Sequence, residues 1–117
     1  MADSYTLSLG GLQVHWEVPN AGVAHVALEG DLDTLSVPVL RQAIHSLYDA
    51  GHFGLTFDLT NLHFIDSSGI GALVEAWRKG QESGGRVTAT NPTTAVRRLM
   101  DVTGISRYLL PAADDAS

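Results

Sequence analysis

Between residues 53 and 77 the spacing of apolar residues changes once, and that change constrains the fold more than any other feature. Phe53, Leu55, Phe57 and Leu59 fall on alternate positions with Thr56 and Asp58 between them, the pattern of a strand with one buried face. Ile70, Leu73, Val74 and Trp77 are instead spaced by three and four, the buried stripe of an amphipathic helix running from about Ser67 to Ser83. After a short loop, Asp66-Ser67-Ser68-Gly69-Ile70-Gly71 stands at the mouth of that helix. Helix starts rarely keep two glycines, because each lowers helix propensity by roughly 1 kcal/mol against alanine. Either something approaches this backbone closely or the turn needs the freedom. Two hydroxyls there also face the positive end of a helix dipole, a favourable place for an added phosphate.

The same periods alternate along the rest of the chain. Leu12–Val18 reads as a first strand, Pro19-Asn20-Ala21-Gly22 as a turn, and Val23–Leu28 as an antiparallel partner. After Gly30-Asp31-Leu32-Asp33, the positions Val37, Leu40, Ile44 and Leu47 predict a helix capped by Asp33 or Ser36 and ended by Gly51. Gly84-Gly85 breaks the second helix, and Arg86–Thr90 predicts a fourth strand. Val96, Leu99 and Met100 mark a third helix, capped by Asn91 or Thr93 and stopped by Gly104, with Ile105–Leu110 as a short last strand. Strand and helix in alternation imply right-handed crossovers and a mainly parallel sheet. Sheets covered on both faces have strands that are apolar throughout, whereas these alternate. The expectation is therefore an α/β fold: a small, mixed, mostly parallel sheet with an N-terminal antiparallel hairpin and helices mainly on one face. A single domain over 1–117 follows, with its core at about 5–110 and a flexible tail at 111–117.

Composition excludes several classes of function. A net charge of −6, from 13 acids against 7 lysines and arginines, argues against wrapping nucleic acid. Without cysteine there is no disulfide scaffold and no thiolate metal site. No signal-like stretch opens the chain and no apolar run reaches membrane-spanning length, so a cytoplasmic protein without membrane insertion is expected.

Catalytic constellations are also wanting. A nucleophile elbow needs glycine two residues before the serine, where Ile65 stands. No Walker loop occurs, and the third glycine of a dinucleotide fingerprint is replaced by Val74. The five histidines, His15, His25, His45, His52 and His63, lack metal-ligand spacing, so neither metal nor cofactor is expected. What remains is the Asp66-Ser67-Ser68-Gly69 turn. An ordinary cap explains one of its side chains but leaves a hydroxyl spare, and Gly69 and Gly71 would leave that hydroxyl unshielded for a docking partner. In a mainly parallel sheet the loops after successive strands share one edge, which places Asp31 and Asp33 with Ser67 as an acidic docking rim.

These residues carry a resemblance. Leu59 through Ile65-Asp66-Ser67-Ser68-Gly69-Ile70-Gly71 is similar to the signature of STAS domains, specifically the bacterial anti-sigma factor antagonists. Glu29-Gly30-Asp31-Leu32-Asp33 resembles that family's Gly-Glu-Leu-Asp stretch, and Ala95–Ile105 its third helix and exit. The resemblance spans roughly residues 12 to 110. It implies a STAS fold and partner switching by a protein that is not itself an enzyme. The unphosphorylated form binds an ATP-dependent anti-sigma factor serine kinase and frees a sigma factor. Phosphorylation of Ser67 reverses this, and a metal-dependent serine phosphatase restores the active form. Asp31, Asp33, Asp66, Ser67, Ser68, Gly69, Ile70 and Gly71 are the expected partner-binding residues, Ser68 the structural cap, and the free protein a monomer. The family's final helix has little chain left after Leu110, so it is expected to be absent or very short. Two alternatives remain: a STAS adaptor of a transporter or signalling scaffold that is not phosphorylated, and nucleotide binding at the glycine-bearing helix terminus.

Overall fold

The computed structural model describes residues 3–19 and 23–111. Its elements run β1 (Asp3–Leu9), β2 (Leu12–Val18), β3 (Ala24–Leu32), α1 (Val37–Asp49), β4 (Leu55–Ile65), α2 (Ser67–Glu82), β5 (Val87–Thr90), α3 (Thr94–Thr103) and α4 (Ser106–Leu109). The strands form one sheet in the order β1-β2-β3-β4-β5, antiparallel across β1-β2-β3 and parallel across β3-β4-β5. Leu12, Val14, Trp16, Ala24, Val26, Leu28, Leu55, Phe57, Leu59, Val87 and Ala89 point to one face and are buried. Gln13, Glu17, His25 and Glu29 on the other face are exposed, and Thr56, Asp58, Thr88 and Thr90 half-buried. The alternation thus reports a sheet covered by helices on one side.

The N-terminal strand is an addition to the sequence reading, which starts the sheet at Leu12. Gly10 turns β1 into β2 with a φ of +60°, a conformation suited to the first central residue of a type II′ turn. The expected turn before β3 has Asn20, Ala21 and Gly22 outside the described residues, as are residues 112–117 of the expected tail.

β4 corrects a second expectation. The strand does not yield to a loop after Leu59 but continues to Ile65. Its pairing slips twice, because Ala27 and Glu29 of β3 face Asp58 and Asn61, and Gly30 and Asp31 face Leu62 and Phe64. Each slip puts one extra residue in β4, which bends the strand and re-aims its side chains. Asp58 holds the first bulge by accepting from the Thr60 amide at 3.0 Å. Beyond it the strict alternation is lost, so the strand looks like a loop in sequence.

Ile105–Leu110 is a third correction: it contains a short helix, α4, and no strand. Ile105 and Leu109 are both buried at a spacing of four, and the Leu109 amide donates to the Ile105 carbonyl at 3.0 Å. The second helix also rolls slightly from its expected stripe. Ile70 and Leu73 are buried as expected, but Gly69, Ala72, Ala76 and Gly80 complete the buried face while Val74 and Trp77 sit at its margin. These small residues allow α2 to lie close to the sheet and to α1. There the Tyr48 hydroxyl donates to the Ala76 carbonyl, and burial pushes its pKa up to about 12. Among the described residues no helix is long and apolar enough to cross a membrane.

Candidate functional site

Two strand-to-helix turns meet at the C-terminal edge of the parallel strands. The Asp66 amide, ending β4, donates to the Leu32 carbonyl, ending β3, at 3.1 Å. That bond sets the mouths of α1 and α2 side by side.

At α2 the cap is Asp66. Its Oδ1 accepts from the Ser68 amide at 2.9 Å and the Gly69 amide at 3.1 Å, satisfying two of the helix's free N–H groups. This corrects the expectation that Ser68 caps the helix. The Ser68 hydroxyl instead reaches across the edge and lies 3.0 Å from the Thr34 hydroxyl in the turn before α1. Ser67 is the first residue of the helix, exposed, and its hydroxyl has no hydrogen-bond partner among the described residues.

The two glycines part ways. Gly69 is buried, and a Cβ there would sit 2.7 Å from both Ile65 Cγ1 and Leu32 Cγ. Its bareness lets α2 dock on the ends of β3 and β4, and, contrary to the expectation, it gives no clearance to an outside partner. Ile70 is 7% exposed and belongs to the core. Around a Cβ on Gly71, by contrast, nothing among the described residues lies within 4 Å beyond its chain neighbours and its own helix backbone. Of the pair, only Gly71 leaves open space beside the exposed first turn.

The acidic residues of the rim also differ. Asp33 Oδ1 accepts from the Leu35 and Ser36 amides, both at 3.1 Å, so it builds its own turn. Ser36 is fully buried; its hydroxyl donates to the Asp31 carbonyl at 2.8 Å and accepts from the Asp33 amide at 3.0 Å. Asp31 is exposed on β3 and leans toward the β1–β2 hairpin, its Oδ2 3.5 Å from where a Gly11 Cβ would stand. No cluster of three or more potential metal ligands occurs among the described residues.

Two residues of this edge escaped the sequence reading. Leu35 is 77% exposed and Phe64 51% exposed, on either side of the Thr34–Ser68 contact in the chain. Leu35 precedes the apolar stripe of α1 and carries no periodic signal. Phe64 turns outward because of the second bulge in β4. The edge thus presents an exposed, unengaged hydroxyl at a helix start, with exposed apolar side chains at Leu35 and Phe64 in the adjoining turn and strand.

A family model for STAS domains, described as Mlab, STAS domain, matches residues 18–111. The anti-sigma-B factor antagonist of Bacillus subtilis (strain 168) is 30% identical over 86 residues, covering 74% of this chain and 78% of its own length. An anti-sigma factor antagonist from Mycobacterium paratuberculosis shares 31% identity and a TM-score of 0.68, over 97% of this chain and 91% of that one. The antagonist SpoIIAA in its unphosphorylated form gives a TM-score of 0.74 at 24% identity, covering 88% of this chain and 91% of that one. The phosphorylated Bacillus SpoIIAA gives 0.68 at 23%, covering 88% and 95%. The chain belongs to the STAS domain family, and within it to the bacterial anti-sigma factor antagonists.

Proposed function

We propose that this protein is a partner switch controlled by Ser67, acting without catalysis of its own. Unphosphorylated, it docks an anti-sigma factor serine kinase through the α2 mouth and so releases a sigma factor. The kinase then uses ATP to phosphorylate Ser67, and a serine phosphatase reverses the modification. The observation that carries this reading is the division of labour at the turn. Asp66 supplies the cap and Ser68 meets Thr34, which leaves the Ser67 hydroxyl exposed and unengaged.

A phosphate on Ser67 would add about 1.5 to 2 negative charges at the first residue of α2. The helix dipole tolerates an anion there, whereas the neighbouring Asp66 carboxylate and the exposed Leu35 and Phe64 side chains do not favour one at a buried contact. Modification therefore changes the docking face more than it changes the fold. Asp31, Asp33 and Gly71 border that face.

The test is incubation with the cognate kinase and ATP, followed by peptide mapping. One phosphate on Ser67 is expected, and none in Ser67→Ala, which still binds the kinase. Phosphate found only on Ser68 or Thr34 overturns the assignment. Ser67→Asp is expected to bind more weakly. An unchanged dissociation constant for that variant would favour the adaptor reading, in which α2 docks a partner without modification.

A further inference from the structure

Against the expectation of a free monomer, the geometry points to a second copy of this chain as the occupant of the free edge of β1. This strand closes the sheet on its antiparallel side, and no described strand pairs with its outer edge. Natural edges are usually blunted by charge, proline, a bulge or shortness. Past the charge of Asp3 at its start, β1 has none of these: Ser4–Leu9 reads Ser-Tyr-Thr-Leu-Ser-Leu, and its register with β2 is unbroken from Ser4↔Glu17 to Leu9↔Leu12. The other end of the sheet, β5, offers only four residues.

The backbone groups that face outward follow from the hairpin. In a two-residue hairpin the residues flanking the turn, Leu9 and Leu12, exchange both backbone bonds, and such pairs alternate along the ladder. Leu9, Leu7 and Tyr5 therefore bond to β2, and the amides and carbonyls of Ser4, Thr6 and Ser8 point away from the sheet. On the helix-covered face the same strand carries Tyr5, 51% exposed, half-buried Leu7, and Leu9, 44% exposed, with Tyr5 stacked on buried Trp16 at 5.3 Å between ring centroids. An apolar stripe thus runs out to an edge of unpaired hydrogen-bonding groups.

Two copies of this strand complement each other. In an antiparallel pair centred on Thr6, Thr6 faces Thr6, Ser4 faces Ser8, and Tyr5 faces Leu7. All the outward amides and carbonyls of Ser4, Thr6 and Ser8 then find partners, the apolar stripes join into one, and no charged side chain of residues 4–9 meets its own kind. The contact is isologous and closes at two copies. Because β1 runs parallel to β3, the two-fold axis sends the Ser67 edges of the copies in opposite directions and leaves both open. One strand pair covers less than the roughly 800 Å² per partner of a standard stable interface, so the dimer should form in the range of about 10 µM to 1 mM.

Sedimentation equilibrium across that range tests the assignment. A monomer–dimer equilibrium is expected, and it should strengthen from low to high salt, because each copy carries a net charge of −6 that salt screens. Thr6→Pro removes the central outward amide and should abolish association. Thr6→Lys, an exposed substitution that spares the backbone, should weaken it at least tenfold at low salt by setting two cations face to face. A monomer throughout the range overturns the proposal, as does a dimer that salt weakens or one that Thr6→Lys leaves unchanged.

Discussion

The mouths of α1 and α2 use the same residue types on the same sheet edge to opposite ends. At α1 an aspartate and a serine are both consumed internally: Asp33 builds the turn, and Ser36, fully buried, ties it to the Asp31 carbonyl. At α2 a single aspartate completes the cap, and the serine beside it stands in solvent. A hydroxyl at a helix start is therefore structural or free according to whether a neighbour already satisfies the backbone. Residue type alone does not decide it.

The sharpest way to break this contrast is at the backbone of the α1 side. Gly30 has a φ of +106°, and a Cβ there would lie 2.0 Å from the Gly11 carbonyl oxygen, which accepts from the Asp31 amide. Gly30→Ala combines left-handed strain with a backbone clash, so a loss of about 3 kcal/mol or more is expected. Urea unfolding measures it. A loss under about 1 kcal/mol would show that the α1 mouth is not held rigidly against the hairpin.

The two serines test the contrast directly. Ser36→Ala leaves the part-buried Asp33 amide and Asp31 carbonyl short of a partner and should cost about 2 kcal/mol. Ser67→Ala removes an exposed hydroxyl with no partner among the described residues and should stay within about 0.5 kcal/mol. Equal costs in the same urea experiment would refute the idea that one hydroxyl is structural and the other free.

How much of this was legible in the sequence depends on how local the deciding contacts are. The period changes place β2, β3, α1, α2, β5 and α3, because each of these buries one face and its spacing records that face. The polar open face of the sheet follows from the same alternation. β4 beyond Leu59 was not legible, since its two bulges come from pairing with β3, more than 30 residues earlier in the chain. α4 was missed because a single turn offers too few residues to separate period two from period four. At the site, three possible caps in a row could be read, but Asp66 is singled out by extended backbone at φ −114°, ψ −173°, which only the assembled turn imposes. Gly69 was misread for a similar reason: what fills the space beside it comes from Leu32, a residue of another strand.

Removing the cap is the next smaller step. Asp66→Ala frees the Ser68 and Gly69 amides and should cost about 1 kcal/mol by urea unfolding. Asp66→Asn keeps an acceptor oxygen in place and should recover most of that loss. If both variants lose the same amount, charge at the helix terminus matters more than the capping bonds, and the Ser67 hydroxyl is less independent of its neighbour than the geometry suggests.

Gly71→Ala reverses the sign of the stability effect and separates folding from docking most cleanly. Beyond its chain neighbours and its own helix backbone, no heavy atom of the described residues lies within 4 Å of a Cβ at this position, and alanine is the better helix former, so a gain of up to about 1 kcal/mol is expected. The opposite sign is expected at Gly69, where the added methyl would press on Ile65 and Leu32 and cost about 1 to 3 kcal/mol. On the proposed switch, Gly71 borders the face that receives the kinase, so the more stable Gly71→Ala protein should bind it more weakly and be phosphorylated more slowly on Ser67. Paired unfolding and binding measurements decide the matter. A variant that gains stability and binds unchanged would move the docking face off the first turns of α2, toward Leu35 and Thr34.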